Sequence, residues 1–250
     1  MEKIAENYGV RCVNTQTGFK WMAQKIHKYE EIARVCMQEE EGIGLDFDST
    51  ELFTRIEILS RYSTCTVLAA EESYGYLPLD LVRDKDGNAS SLAIAEAFAF
   101  CESINSTPIK FLDNIYQKYG YHLEKTENIY FEGAEGSATI SRLVESYRAK
   151  PLEKILDYNV NKVRDFSEEG YVDEDNEDLP RQNFIHLTLE NGFNIAIRPS
   201  GTEPKIKYYL FGCGEPNSHD LEKSKRDVSE TLESIGQWMV DDAHQRAKIE

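Results

Sequence analysis

The sequence has no apolar run long enough to cross a bilayer, and its first residues lack the basic-then-apolar order of a secretion signal. A cytoplasmic chain without a membrane partner is expected. No segment gathers Lys and Arg among interleaved aromatics, and 28 basic against 45 acidic residues leave a formal charge of −17. That balance argues against nucleic acid and anionic membrane surfaces as partners. Cys12, Cys36, Cys65, Cys101 and Cys213 are odd in number and contain no CxxC pair, so no structural zinc site is expected. They read as reduced, mostly buried thiols.

What is present is 250 residues with 40% hydrophobic content, enough for two modest cores. A division near residue 124 is expected, giving domains at 1–124 and 125–250. Residues 1–8 read as the tail of a helix ended by Gly9, and residues 10–13 as a short buried strand. A domain seldom begins this way, so the chain is expected to open in mid-fold. Phe19, Met22, Ala23 and Ile26 keep the 3.6-residue period of a helix, with Thr17 as its N-cap. Residues 64–69 read as a buried strand, 88–104 as a buried helix rich in small and apolar residues, and 108–119 as a helix starting at Pro108.

Further on, Ser137 caps a helix with Ile140, Leu143, Val144 and Tyr147 on one face, and the acidic residues 168–178 read as a loop or hairpin. Residues 184–189 and 193–197 read as strands joined at Glu190-Asn191-Gly192, and a third strand follows at 206–211. The last helix turns Leu221, Val228, Leu232, Ile235 and Met239 inward. The expected fold class is α/β plus α+β, the second part an antiparallel sheet with helices on one face.

The chemistry concentrates in Arg198-Pro199-Ser200-Gly201-Thr202-Glu203-Pro204-Lys205, between the second and third of these strands. Pro199 fixes one φ angle, Gly201 lets the backbone approach a ligand, Ser200 and Thr202 offer hydroxyls, and the planar guanidinium of Arg198 can grip two phosphate oxygens. An exposed hairpin arginine is the plain alternative, but the combination favours phosphate. Lys20 stands in the first turn of its helix, where the dipole disfavours a cation unless an anion shares the place; taken alone it reads as a surface lysine. Glu71 and Ser73 follow the strand at 64–69 and point to one side of an extended segment, a carboxylate and a hydroxyl suited to sugar hydroxyls.

These segments resemble the α-D-phosphohexomutases, the family of phosphoglucomutase and phosphomannomutase. Residues 198–205 look like the phosphate-binding loop of that family's C-terminal domain. Thr15-x-Thr17-Gly18-Phe19-Lys20 is similar to its segment whose lysine reaches the sugar phosphate, and Glu71-x-Ser73 to its sugar-recognition loop, with Ala70 where the family has Gly. Arg83-Asp84-Lys85-Asp86-Gly87 is similar to a run that fixes a helix start in the bacterial phosphoglucomutase branch.

The resemblance covers nearly the whole chain and implies part of the three-layer α/β/α third domain of the family followed by its fourth. It implies interconversion of hexose 1- and 6-phosphates through a phosphoserine, with Mg2+ and a hexose bisphosphate activator in the complete enzyme and none bound by this chain alone. No Thr-Ala-Ser-His-Asn-Pro-like segment and no Asp-x-Asp-x-Asp-Arg loop is found. The family's catalytic serine and metal ligands therefore have no counterpart here, and the isolated chain is expected not to turn over. Its expected partners are a hexose phosphate and a separately encoded N-terminal half. The other reading is a non-catalytic sugar-phosphate-binding module.

Overall fold

The computed structural model describes residues 1–71, 74–78, 82–133, 135–201 and 203–248. Two compact units emerge, one of residues 14–108 and one of residues 1–13 with 109–250. They part at Pro108, upstream of the division read near residue 124, because the helix and strand that follow Pro108 group with the later sheet.

In the unit of residues 14–108, helix α2 (Phe19–Glu41) turns Phe19, Ile26, Tyr29, Ala33 and Met37 inward. Helix α3 (Leu52–Tyr62) packs Ile58 and Leu59 with Tyr29, Ala33, Met37 and Phe47, while Phe19 and Ile26 pack with Ala69 and Leu77. Thr17 is not the N-cap of α2: Gly18 occupies that place with φ of 117°, a value open to glycine, and no side chain caps the helix. The carboxylate of Glu30 is buried on α2, 2.5 Å from Arg83 Nη2 and 3.6 Å from Arg55 Nη2. Two short strands, β1 (Ala69–Glu71) and β2 (Gly75–Leu77), pair antiparallel. Helix α4 (Gly87–Ser103) follows, its N-terminus held by Asp86, whose carboxylate accepts from the N–H groups of Asn88 and Ala89.

Three expectations fail here for one reason. Residues 10–13, which group with the other unit, form no strand. Of residues 64–69 only Ala69 enters one, while Val67 and Leu68 are exposed. Helix α4 buries Cys101 alone and leaves Leu92, Ile94, Phe98 and Phe100 more than half exposed. A strand needs a ladder partner, and a helix apolar on every side needs cover on every side; the described residues provide neither. The cysteines also depart from expectation, since Cys101 is buried but the other four are partly exposed.

The larger unit begins with α1 (Glu2–Asn7), then α5 (Pro108–Tyr119) and strand β3 (His122–Tyr130). Helix α6 (Gly136–Ala149) precedes β4 (Lys154–Ile155), β5 (Tyr158–Asp165), β6 (Ile185–Leu189), β7 (Asn194–Pro199) and β8 (Lys205–Cys213), and α7 (Leu221–Ala247) closes the unit. The six strands form one antiparallel sheet in the order β3-β8-β7-β6-β5-β4. Between β6 and β7, Gly192 turns the chain at φ of 82°.

Alternation sorts each strand into two faces. Ile185, Leu187, Leu189, Ile195, Ile197, Ile206, Tyr208 and Leu210 face inward, against Leu143, Val144 and Tyr147 of α6 and Val228, Leu232, Ile235 and Met239 of α7. The predicted inner face of α7 is thus the buried one except at Leu221, which is only partly covered. Glu135 rather than Ser137 precedes α6. The C-terminal end of α6 is capped from α7: an Arg246 Nη1 donates to the carbonyls of Ser146 at 2.9 Å and Lys150 at 3.2 Å. Among the described residues no helix is long and apolar enough to cross a membrane.

Candidate functional site

The predicted residues fall on both units. Arg198, Ser200 and Gly201 lie on the larger one, while Lys20 and Glu71 lie on the other. Thr202 and Ser73 lie outside the described residues.

The phosphate loop connects β7 to β8. Its frame is made by the backbone: Ser200 N–H donates to the Lys205 carbonyl at 2.9 Å, and Lys205 N–H donates to the Glu203 carbonyl at 2.7 Å. The Glu203 N–H donates to Ser200 Oγ at 3.3 Å, a side-chain turn of the kind serine favours. A Cβ added to Gly201 would meet nothing within 4 Å. Neither packing nor a positive φ demands glycine there, and the space beside it is open for a ligand to come close.

Charge at the loop is divided unequally. Lys205 Nζ lies 2.5 Å from Glu203 Oε2 and 3.4 Å from Tyr130 Oη, partners that raise its pKa and use its charge locally. Arg198 has no carboxylate partner among the described residues. Directly opposite it on β8, in register, stands Lys207, also without one. Ile197 and Ile206 point into the core, so Arg198 and Lys207 share the other face. Like charges placed opposite each other weaken a sheet, and an anion between them removes that cost. Lys207 was missed in the sequence because it stands nine positions beyond Arg198 and only strand register joins them.

On the smaller unit, Lys20 is exposed in the first turn of α2, with its Nζ 4.5 Å from the centre of the Trp21 ring. The first turn carries no acidic residue. The Trp21 indole N–H is buried with no acceptor among the described residues. At the end of β1, Glu71 is 11% exposed, and its Oε1 lies 3.1 Å from Lys85 Nζ. A Cβ on Gly75 would sit 2.6 Å from that same oxygen, so the glycine makes room for the carboxylate. The run at residues 83–87 therefore does more than start a helix: Asp86 caps α4, Lys85 orients Glu71 and Arg83 holds Glu30.

A cavity of about 390 Å³ lies among Tyr158, Phe193, Cys213, Lys223 and Asp227. It is at the opposite ends of β7 and β8 from the phosphate loop, which is instead an open surface site. Among the described residues no three His, Cys, Asp or Glu side chains are gathered to hold a metal ion.

A model described as the Spiroplasma phage ORF1-like family matches residues 74–209. The chain is 30% identical over 214 residues to a phosphoglucomutase of Staphylococcus haemolyticus, covering 84% of the chain and 33% of that relative. It is 29% identical over 249 residues to a phosphopentomutase of Homo sapiens, covering 94% of the chain and 35% of the relative. Among solved structures, the open form of the exocytosis-sensitive phosphoprotein pp63/parafusin, a phosphoglucomutase from Paramecium, aligns with a TM-score of 0.46 and 17% identity. That alignment covers 80% of this chain and 35% of the other. The chain thus spans about a third of the length of these relatives. It belongs to the Spiroplasma phage ORF1-like family by its model match, and its relatives are phosphoglucomutases and phosphopentomutases, whose length it covers only in part.

Proposed function

We propose that the chain supplies the phosphate-gripping and sugar-reading part of a phosphoglucomutase- or phosphomannomutase-type enzyme, which moves a phosphoryl group between the 1- and 6-positions of a hexose. The observation that carries this reading is the Arg198–Lys207 couple, two cations without carboxylates, beside a loop whose Gly201 faces open space. In this reading Arg198, Lys207, Ser200, Gly201 and Thr202 take the phosphate of the substrate, and Lys20 is a further phosphate-binding candidate carried by the other unit. Glu71, oriented by Lys85, accepts from sugar hydroxyls with Ser73 beside it.

Phosphoryl transfer needs a carrier residue and a cation to neutralise charge in flight. The sequence offers no counterpart of either motif, so magnesium and the hexose bisphosphate activator belong to the remainder of such an enzyme. Phosphopentomutases among the relatives make a pentose phosphate the competing substrate class. The exposed apolar helix α4 favours a second reading within the first, that a separately encoded chain completes the domain.

The test is an assay of the purified chain for conversion of glucose 1-phosphate to glucose 6-phosphate with bisphosphate activator, together with calorimetric titration of glucose 6-phosphate. No turnover and weak binding abolished by R198A are expected. Turnover well above background would overturn the division of labour, and binding untouched by R198A would overturn the site.

A further inference from the structure

Behind the phosphate loop, the same face of the sheet carries a second group of cations. On β5 the outward side chains are Lys162 and Arg164, and on β6 they are His186 and Thr188; Lys162 pairs in register with Thr188 and Arg164 with His186. On β7 the outward positions are Asn194, Ala196 and Arg198. None of these is a carboxylate, in a chain with 45 acidic and 28 basic residues. Several arginines elsewhere are matched, as Arg34 is by Glu31, Arg83 by Glu30, Arg148 by Asp165 and Arg246 by Asp242. Lys162 and Arg164 have no such partner among the described residues.

The hydrogen bonding within the group fixes what it can receive. Arg164 Nη2 lies 3.4 Å from His186 Nδ1. A guanidinium only donates, so Nδ1 accepts and the ring proton sits on Nε2. The Arg164 Nε–H is buried and has no acceptor, an omission that a folded protein seldom leaves unexplained. Lys162 Nζ, the Arg164 guanidinium and His186 Nε2–H therefore form a group that donates and has no acceptor left to offer. Its complement is a ligand made of acceptors with negative charge. A tetrahedral phosphate presents enough acceptor oxygens to meet all three donor groups at once, where a carboxylate has two.

We propose that Lys162, Arg164 and His186 form a second oxyanion site on the outer face of the sheet, separate from the phosphate loop, which takes the phosphate group of a small phosphorylated molecule. Two strand spacings, roughly 10 Å, separate β5 from β7, so the two sites can be filled independently. The neighbouring charges leave a trace on His186, whose pKa is pulled down to about 4 by burial first and then by Arg164 and Lys162. A bound anion offsets the last two causes and raises it again.

His186 is then its own reporter. Its ring resonance, assigned with H186Q, is followed through a pH titration of the full chain in inorganic phosphate and in sodium chloride at equal ionic strength. Carrying out the titration in R198A removes the loop site without touching this one. Phosphate is expected to raise the His186 midpoint by roughly one unit relative to chloride in both wild type and R198A. R164Q and the exposed-residue variant K162Q are each expected to weaken phosphate here by roughly tenfold. A midpoint indifferent to phosphate, or a shift that survives both K162Q and R164Q, would overturn the site. Acetate acting as strongly as phosphate would overturn its assignment to phosphate. Failure of R198A to affect glucose 6-phosphate binding would count against the loop and leave this site standing.

Discussion

Lys207 faces Arg198 directly across the β7–β8 ladder, two cations on one face of the sheet with no carboxylate between them among the described residues. Such a pair costs stability in the unliganded chain and repays it on binding, so function and stability are predicted to move in opposite directions. K207Q is expected to weaken glucose 6-phosphate binding by roughly tenfold. The same change should raise unfolding stability by about 0.2–1 kcal/mol at low salt, an increment that fades as salt screens the repulsion. Calorimetric titration and urea melts on one preparation check both. A variant that loses binding and stability together would mean that Lys207 supports the fold instead.

Gly212 shows how closely α7 lies on the sheet. A Cβ there would sit 2.2 Å from Leu232 Cδ1 and 2.8 Å from Val228 Cγ1, both on the helix. G212A is therefore expected to cost about 1–3 kcal/mol in urea unfolding, as overpacked cores do. Restoring room with L232A in the same chain should recover less than the glycine lost, since that change opens a cavity elsewhere along the side chain.

Glu30 is a buried carboxylate of the smaller unit, and Arg83 is its nearest partner, with donors at 3.1 and 2.5 Å. Arg55 stands at 3.6 Å and cannot replace a two-point grip. R83M is expected to lower the stability of this unit by about 3 kcal/mol, because it leaves a buried carboxylate with only Arg55 and His27, each at 3.6 Å. E30Q with R83M together should cost less than R83M alone. Proteolysis within residues 14–108 at increasing urea reads the difference, and additivity of the two changes would show that the pair is not coupled.

His186 makes stability depend on pH with a definite sign. Its folded pKa of about 4 lies below the ordinary 6.5, so the unfolded chain binds the proton more readily than the folded one. The stabilisation is complete above pH 6.5, falls as the pH drops through that window and levels off near 4, a loss of at most about 3 kcal/mol. H186Q should flatten the stability of the larger unit between those limits. Denaturation curves at pH 7, 5.5 and 4.5 would refute the assignment if wild type and variant declined in parallel.

Which parts of this were legible in the sequence follows from how local their cause is. The hairpin at Asn191-Gly192, the alternation of β6 and the inner stripe of α7 are written in neighbouring residues, and they stand where expected. Strand β3 escaped notice because its inward positions include Lys125 and Glu127, which pair with each other at 3.1 Å at the edge of the sheet and blur the period of two. Among the candidate residues, Arg198 and Glu71 were picked out from their own loops. Lys207 and Lys85 were not, since the first is joined by register and the second by a fold-back of 14 residues. Helix α4 was read correctly as a helix and wrongly as buried: apolarity reports what a segment needs, and cover depends on what the rest supplies.

That last difference is itself testable. Leu92, Ile94, Phe98 and Phe100 are 59, 56, 56 and 52% exposed on a helix whose 17 residues include two charges, Glu96 and Glu102. If α4 were in a core, replacing Phe98 by serine would cost several kcal/mol, as truncating a buried phenylalanine does. At its observed exposure, F98S and L92Q should each change stability by less than about 0.5 kcal/mol. They should also lower the binding of a hydrophobic dye and raise the concentration at which the chain aggregates, because the patch they interrupt is open to solvent. Adding the remaining length of a full phosphoglucomutase to the same chain should reverse the result and make F98S costly. A large penalty for F98S in the chain alone would mean that its own residues, or a second copy, already cover the helix, and a concentration series would separate those two cases.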